Sequence, residues 1–122
     1  MKMEPAAPAP GPMIQGFGGG GFRIDGAVYR SALLTVRTAV DWTPPPLPDL
    51  TVESLQTLLD LNPEFILLGT GPRLVRPPVA LTRILESRGI GLEPMDSRAA
   101  ARAWGVLRSE GRQIAAALYP LD

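Results

Sequence analysis

The stretch Glu64-Phe65-Ile66-Leu67-Leu68-Gly69 limits the fold more than any other part of the chain. It is a short, continuous apolar run, bounded by Asn62-Pro63 before it and Thr70-Gly71 after it. Such a run reads as a strand covered on both faces, which requires layers above and below it. The sequence downstream supplies them. Residues 78–88 place Leu81, Ile84 and Leu85 at helical spacing and end at Gly89, a suitable left-handed stop. Residues 90–95 form a second inner strand. Asp96 or Ser97 then caps a helix, because a short oxygen-bearing side chain accepts from free backbone N–H groups. Ala100, Ala103, Trp104 and Leu107 define its inward stripe, and Gly111 closes it. Residues 113–118 suit a central strand, although their alanines leave strand and helix hard to separate. The order strand, helix, strand, helix, strand implies parallel pairing through right-handed crossovers.

The opening third has a different period. Residues 13–17 read as a first strand leading into the turn Gly18-Gly19-Gly20-Gly21. Residues 22–24 and 27–30 alternate around Asp25-Gly26, a strong hairpin signal. Residues 31–36 form a further strand or continue the previous one. This antiparallel meander extends the sheet or adds a layer. Trp42-Thr43-Pro44-Pro45-Pro46-Leu47-Pro48 is an extended connector, since proline lacks an N–H and fixes φ; a polyproline ligand for an SH3-like partner is the competing reading. Thr51 caps a helix over residues 52–60 carrying Val52, Leu55, Leu58 and Leu59. Residues 1–12 are Pro/Ala-rich and are expected to be a disordered tail, leaving residues 13–122 as one α/β domain of three layers.

Composition narrows the chemistry. Among 122 residues there is no cysteine and no histidine. Disulfides, thiolate nucleophiles, imidazole bases and the usual zinc ligands are therefore excluded together. No acidic cluster has a recognisable cation-loop spacing, so neither metal nor cofactor is expected. Net charge is zero, but it is unevenly spread. Residues 73–112 hold eight arginines against four acids, a formal +4 that suits an anionic partner and is too small to indicate nucleic acid. No apolar run approaches the roughly 20 residues of a membrane span. A cytoplasmic, bacterial protein that does not insert into a membrane is expected.

Three motifs carry a family resemblance. The first is Met95-Asp96-Ser97-Arg98-Ala99-Ala100-Ala101-Arg102-Ala103-Trp104 running on to Glu110-Gly111-Arg112 and Leu118. The second is Gly21-Phe22-Arg23-Ile24 followed by Tyr29-Arg30-Ser31-Ala32-Leu33-Leu34, and the third is Leu67-Leu68-Gly69-Thr70-Gly71. Together they resemble the Mth-type domain of unknown function, a family that includes a mitochondrial complex I assembly factor. The resemblance implies a β+α/β/α fold and an assembly or scaffolding role with a protein partner, a membrane-complex subunit among the candidates. One departure stands out. Where the family shows a Cys-Arg-Thr-Tyr-Asn run, this chain has Ala101-Arg102-Ala103-Trp104-Gly105, so only the arginine is retained.

Candidate sites follow from spacing. Gly16 to Gly21 formally contains G-x-G-x-x-G, but a strand follows where a dinucleotide site needs a helix. Gly69-Thr70-Gly71 lies past the carboxyl end of an inner strand, where open α/β sheets place ligands. Its amides and the Thr70 hydroxyl suit an anion, with Arg73 or Arg76 adding charge; a sharp exit turn is the plainer reading. Arg102, Glu110 and Arg112 form either a structural ion pair or, with Thr70, Gly71 and Ser97, a carboxylate- or phosphate-binding cleft. Asp96 and Glu110 are conceivable as an acid/base pair, without any spacing argument. Trp42 and Trp104 are interface anchors or core residues. Two functions remain open at this point: a non-enzymatic protein-interaction module, or a small enzyme or anion-binding protein using the Arg/Thr-lined cleft.

Overall fold

The computed structural model describes residues 10–122. Strands β1 (Ile14–Gly18), β2 (Gly21–Ile24) and β3 (Ala27–Tyr29) form a three-stranded antiparallel sheet. A second sheet has the order β5-β4-β8-β6-β7, built from β4 (Ala32–Leu34), β5 (Ala39–Asp41), β6 (Phe65–Gly69), β7 (Gly91–Met95) and β8 (Ala115–Leu118). β6 runs parallel to both β7 and β8, whereas β4 pairs antiparallel with β8 and β5. Helices α1 (Gln56–Leu59) and α2 (Val79–Ser87) cover one face, and α3 (Ser97–Ser109) with the small sheet covers the other. The result is the expected three-layer β+α/β/α fold.

Alternation along the central strands builds two cores back to back. Ile66, Leu68, Ala115 and Ala117 point to the α1/α2 side with Leu55, Leu58, Leu81 and Leu85. Leu67, Ala116 and Leu118 point to the other side with Phe22, Ile24, Ala100 and Trp104. The alanines of β8, which left its state open in the sequence, are strand residues at the middle of the sheet. Their small side chains leave room for the large ones above and below, Trp104 among them, which is fully buried. β7 is an edge strand and carries Pro94, whose missing N–H costs least at an edge.

Several expectations need correction. The opening meander divides: β1 to β3 form the added layer, while β4 leaves for the main sheet and pairs with the unforeseen β5. The tip of the β4–β5 hairpin is fixed by Thr35, whose Oγ1 accepts from the N–H groups of Arg37 and Thr38 at 3.1 and 2.9 Å. The helix expected over 52–60 starts as a 3-10 turn, Glu53–Leu55, before α1. The tighter winding lines Val52 up with Leu55, three residues on, and both are buried. Ile84, expected inside, is 43 % exposed. α2 packs on β7 at the edge of the sheet, which covers only the Leu81/Leu85 stripe.

The chain entry is also more ordered than its composition suggested. Pro12 is buried, and its carbonyl accepts from Trp104 Nε1 at 3.0 Å. Arg108, one turn along α3, donates Nη2 to the Pro10 carbonyl at 2.9 Å. Two side chains four apart thus hold alternate carbonyls of the segment that leads into β1. Residues 1–9 of the expected tail lie outside the described residues. The proline connector is held in the same manner: Tyr119 Oη donates to the Pro45 carbonyl at 2.8 Å, and Trp42 packs edge-on against the Tyr119 ring at 5.1 Å. Burial, joined by the nearby Asp49 charge, pushes the Tyr119 phenol up to about 12, so it stays a donor at neutral pH.

The glycines at two sites give opposite predictions. A Cβ at Gly69 would lie 2.9 Å from the Ser97 Cα, backbone that cannot yield. Gly69→Ala should destabilise by about 1–3 kcal/mol, the usual cost of forced overpacking. Gly105, inside α3, has open space around its Cβ position, so Gly105→Ala should stabilise by about 0.5–1 kcal/mol through helix propensity. Urea unfolding midpoints of the two variants should move in opposite directions.

Candidate functional site

The carboxyl ends of β6 and β7 are where the fold would place a ligand, and here the polar groups are already used. Thr70 N–H donates to the Met95 carbonyl at 2.8 Å. Thr70 Oγ1 lies 2.7 Å from the Arg73 carbonyl and 3.2 Å from that of Met95, and it accepts the Val75 N–H at 3.0 Å. The Gly71 N–H donates to Ser97 Oγ, the Gly71 carbonyl accepts the Ser97 N–H, and Ser97 Oγ donates to the Tyr119 carbonyl, each within 2.8 Å. Ser97 is fully buried and Thr70 is 7 % exposed. These groups tie β6, α3 and the exit of β8 into one knot, leaving no Thr70 or Gly71 donor for an anion. Arg73 and Arg76 are exposed on the following loop.

The expected cleft of Thr70, Gly71, Ser97, Arg102 and Arg112 is not assembled. Arg112 sits at the opposite end of β6, where Nη2 pairs with Glu64 Oε1 at 3.2 Å. Glu64 and Thr70 are separated by six residues of extended chain, about 20 Å. Arg102 is exposed on the outer face of α3 and faces β1. Glu110 is the C-terminal cap of α3, and the ion pair of Arg112 is with Glu64 instead. The reason is geometric: proximity along a helix–turn–strand sequence says nothing about which sheet end each residue reaches. Asp96 is the N-cap, accepting the Ala99 N–H at 2.9 Å. It stands 14 residues from Glu110, about 21 Å along the axis, too far for a shared acid/base role. Gly19 and Gly20 are the two-residue turn between β1 and β2, and no helix opens there.

What Arg102 does line is an apolar groove of about 500 Å³ between the edge strand β1 and α3. Ala101 and Gly105, four apart, form its floor, and Ile14, Phe17 and Val106 form its walls. Phe17 is 40 % and Val106 is 60 % exposed, with Met13 at 43 % near the start of β1. Arg98 lies over the Phe17 ring at 5.5 Å from its centroid, a cation–π contact. Arg98 and Arg102, one turn apart, thus set two positive charges beside exposed apolar surface. The sequence signalled the arginine pair but not the groove, because β1 and α3 are some eighty residues apart in the chain.

Among the described residues no three His, Cys, Asp or Glu side chains converge as a metal would need. No helix among them is long and apolar enough to cross a membrane.

Residues 14–119 match a family of proteins of unknown function, DUF498/DUF598. The chain belongs to that family. A Rhodobacter capsulatus relative, itself uncharacterized, is 41 % identical over 88 % of this chain and 84 % of its own. The NADH dehydrogenase [ubiquinone] 1 alpha subcomplex assembly factor 3 of Danio rerio is 34 % identical over 98 % of this chain and 69 % of its own length. A Bordetella pertussis Mth938-like domain superposes with a TM-score of 0.78 over 99 % of this chain and 92 % of that one, at 24 % identity. The fold is therefore the Mth938-like fold, as the three motifs implied.

Two measurements test these assignments. Ser97→Ala removes an acceptor and a donor inside the knot, and should cost about 2–4 kcal/mol for two stranded buried partners. Glu64 is held below its ordinary value near 4.5, first by the hydrogen bond from the Arg112 guanidinium and then by the Gln113 N–H, with desolvation opposing them. Its contribution is present above the unfolded-state pKa and is lost as pH falls through the lower folded-state value. Glu64→Gln should therefore lower stability slightly at neutral pH, by the small amount expected of an exposed pair, and converge with the wild type at acid pH, so that the acid limb of the stability–pH curve is flatter.

Proposed function

We propose that this protein is a non-enzymatic interaction module of the complex I assembly-factor type, docking a protein partner in the groove between β1 and α3. The observation that carries the reading is the pairing of exposed Phe17 and Val106 with Arg98 and Arg102 at one groove. Apolar surface supplies the association energy, and flanking guanidinium groups select orientation and sign. A partner segment with apolar side chains and nearby carboxylates fits that surface. The assembly-factor relative supports a protein as the partner, a subunit of a larger complex rather than a metabolite. Catalysis at the carboxyl edge is disfavoured because Thr70, Gly71 and Ser97 are committed to one another. Arg112 is committed to Glu64.

Affinity capture from the native cell, followed by titration of the captured partner, tests this. Val106→Asp should abolish capture, and Arg102→Ala should weaken binding by about tenfold, the effect of one well-placed interfacial arginine. Both positions are exposed, so melting temperature should hold. Capture of the same proteins by wild type and Val106→Asp would overturn the groove as the docking site.

A further inference from the structure

A different cavity, on the far end of α3, carries an inference independent of the docking groove. It has a volume of about 510 Å³ and lies between the entering segment at Pro10-Gly11, the β4–β5 tip at Val36-Arg37, and Leu61, Arg108 and Gln113. That volume is within the range of small-molecule sites.

Arg108 is the unusual member. It is 4 % exposed, and its guanidinium meets carbonyl oxygens, those of Arg112 and Pro10. Among the described residues its buried Nε–H has no acceptor. A guanidinium offers five donors and keeps its charge at any accessible pH. Carbonyl dipoles satisfy part of that demand but supply no counter-charge, and a buried unpaired cation is costly. A second guanidinium, that of Arg37, lines the same cavity from a tip fixed by Thr35. Among the described residues no acid lines the cavity. The neighbouring carboxylate, Glu64, accepts the Gln113 N–H and is matched by Arg112. Leu61 and Val36 add an apolar wall.

We propose that this cavity binds a small organic anion, a carboxylate or phosphate monoester with a short apolar portion. Arg108 supplies fixed buried charge from the wall, Arg37 is the outer arm that closes on the anion, and Leu61 and Val36 receive the apolar part.

The test is titration of the full-length protein with inorganic phosphate and, separately, with butyrate, against chloride at constant ionic strength, followed by backbone amide NMR shifts. Saturable shifts at Arg37, Leu61 and Gln113 are expected, from phosphate, butyrate or both, and the responding arm names the anion. Arg37→Ala should weaken binding about fivefold, the scale of one charge-assisted contact at a partly solvated site. Arg37→Glu should abolish it, and Arg102→Ala should leave it unchanged. Non-saturating shifts equal to those of chloride, or undiminished binding in Arg37→Glu, would overturn the proposal. So would saturable shifts centred on residues outside the cavity.

Discussion

The contact on which the rest of the structure depends is the close approach of α3 to the end of β6, Gly69 against Ser97. At that point a side chain of any size on residue 69 would strike the helix backbone. Because it is absent, Ser97 reaches Gly71 and the Tyr119 carbonyl in one step. The knot sets the position of α3 over the sheet, and the position of α3 then fixes nearly everything else on that side. Trp104 and Arg108 reach the segment entering β1 from it, and its outer face meets β1 to make the groove.

The same contact uses up the polar groups at the carboxyl edge of the sheet. In open α/β folds that edge holds ligands because strand ends leave free amides and glycine lets backbone come close. Here the same ingredients bind the protein to itself. Positive charge is found elsewhere: at Arg98 and Arg102 beside apolar surface, and at Arg37 and the buried Arg108 around a cavity. Three of these four arginines belong to the cationic stretch 73–112, Arg37 joins them from the β4–β5 tip, and the two sites share no residues.

Much of the architecture was legible because it rests on local rules. The apolar run of β6, the Asp25-Gly26 hairpin, the Asp96 cap and the Gly111 stop each report a nearest-neighbour preference, and each element formed. Ile84 was misread because helical spacing states which residues share a face, not how much of that face a sheet edge covers. β5 was missed because three residues carry too little pattern, although the Thr35/Thr38 pair that makes its turn was visible. Arg108 was passed over for a related reason: nothing in its neighbours along the chain marks it as buried, since its partners include Pro10, ninety-eight residues away.

The sequence by itself determined the layers, the order of the elements and the family, because periodicity, caps and turn residues act over a few positions. The tertiary structure alone decided which polar groups were free. Thr70, Ser97 and Arg112 looked available in the sequence, and two of them lie at the other end of a strand from the third. Hydrogen-bond partners are chosen by the packing of distant elements, and that choice separates a residue that binds from one that only holds the fold together.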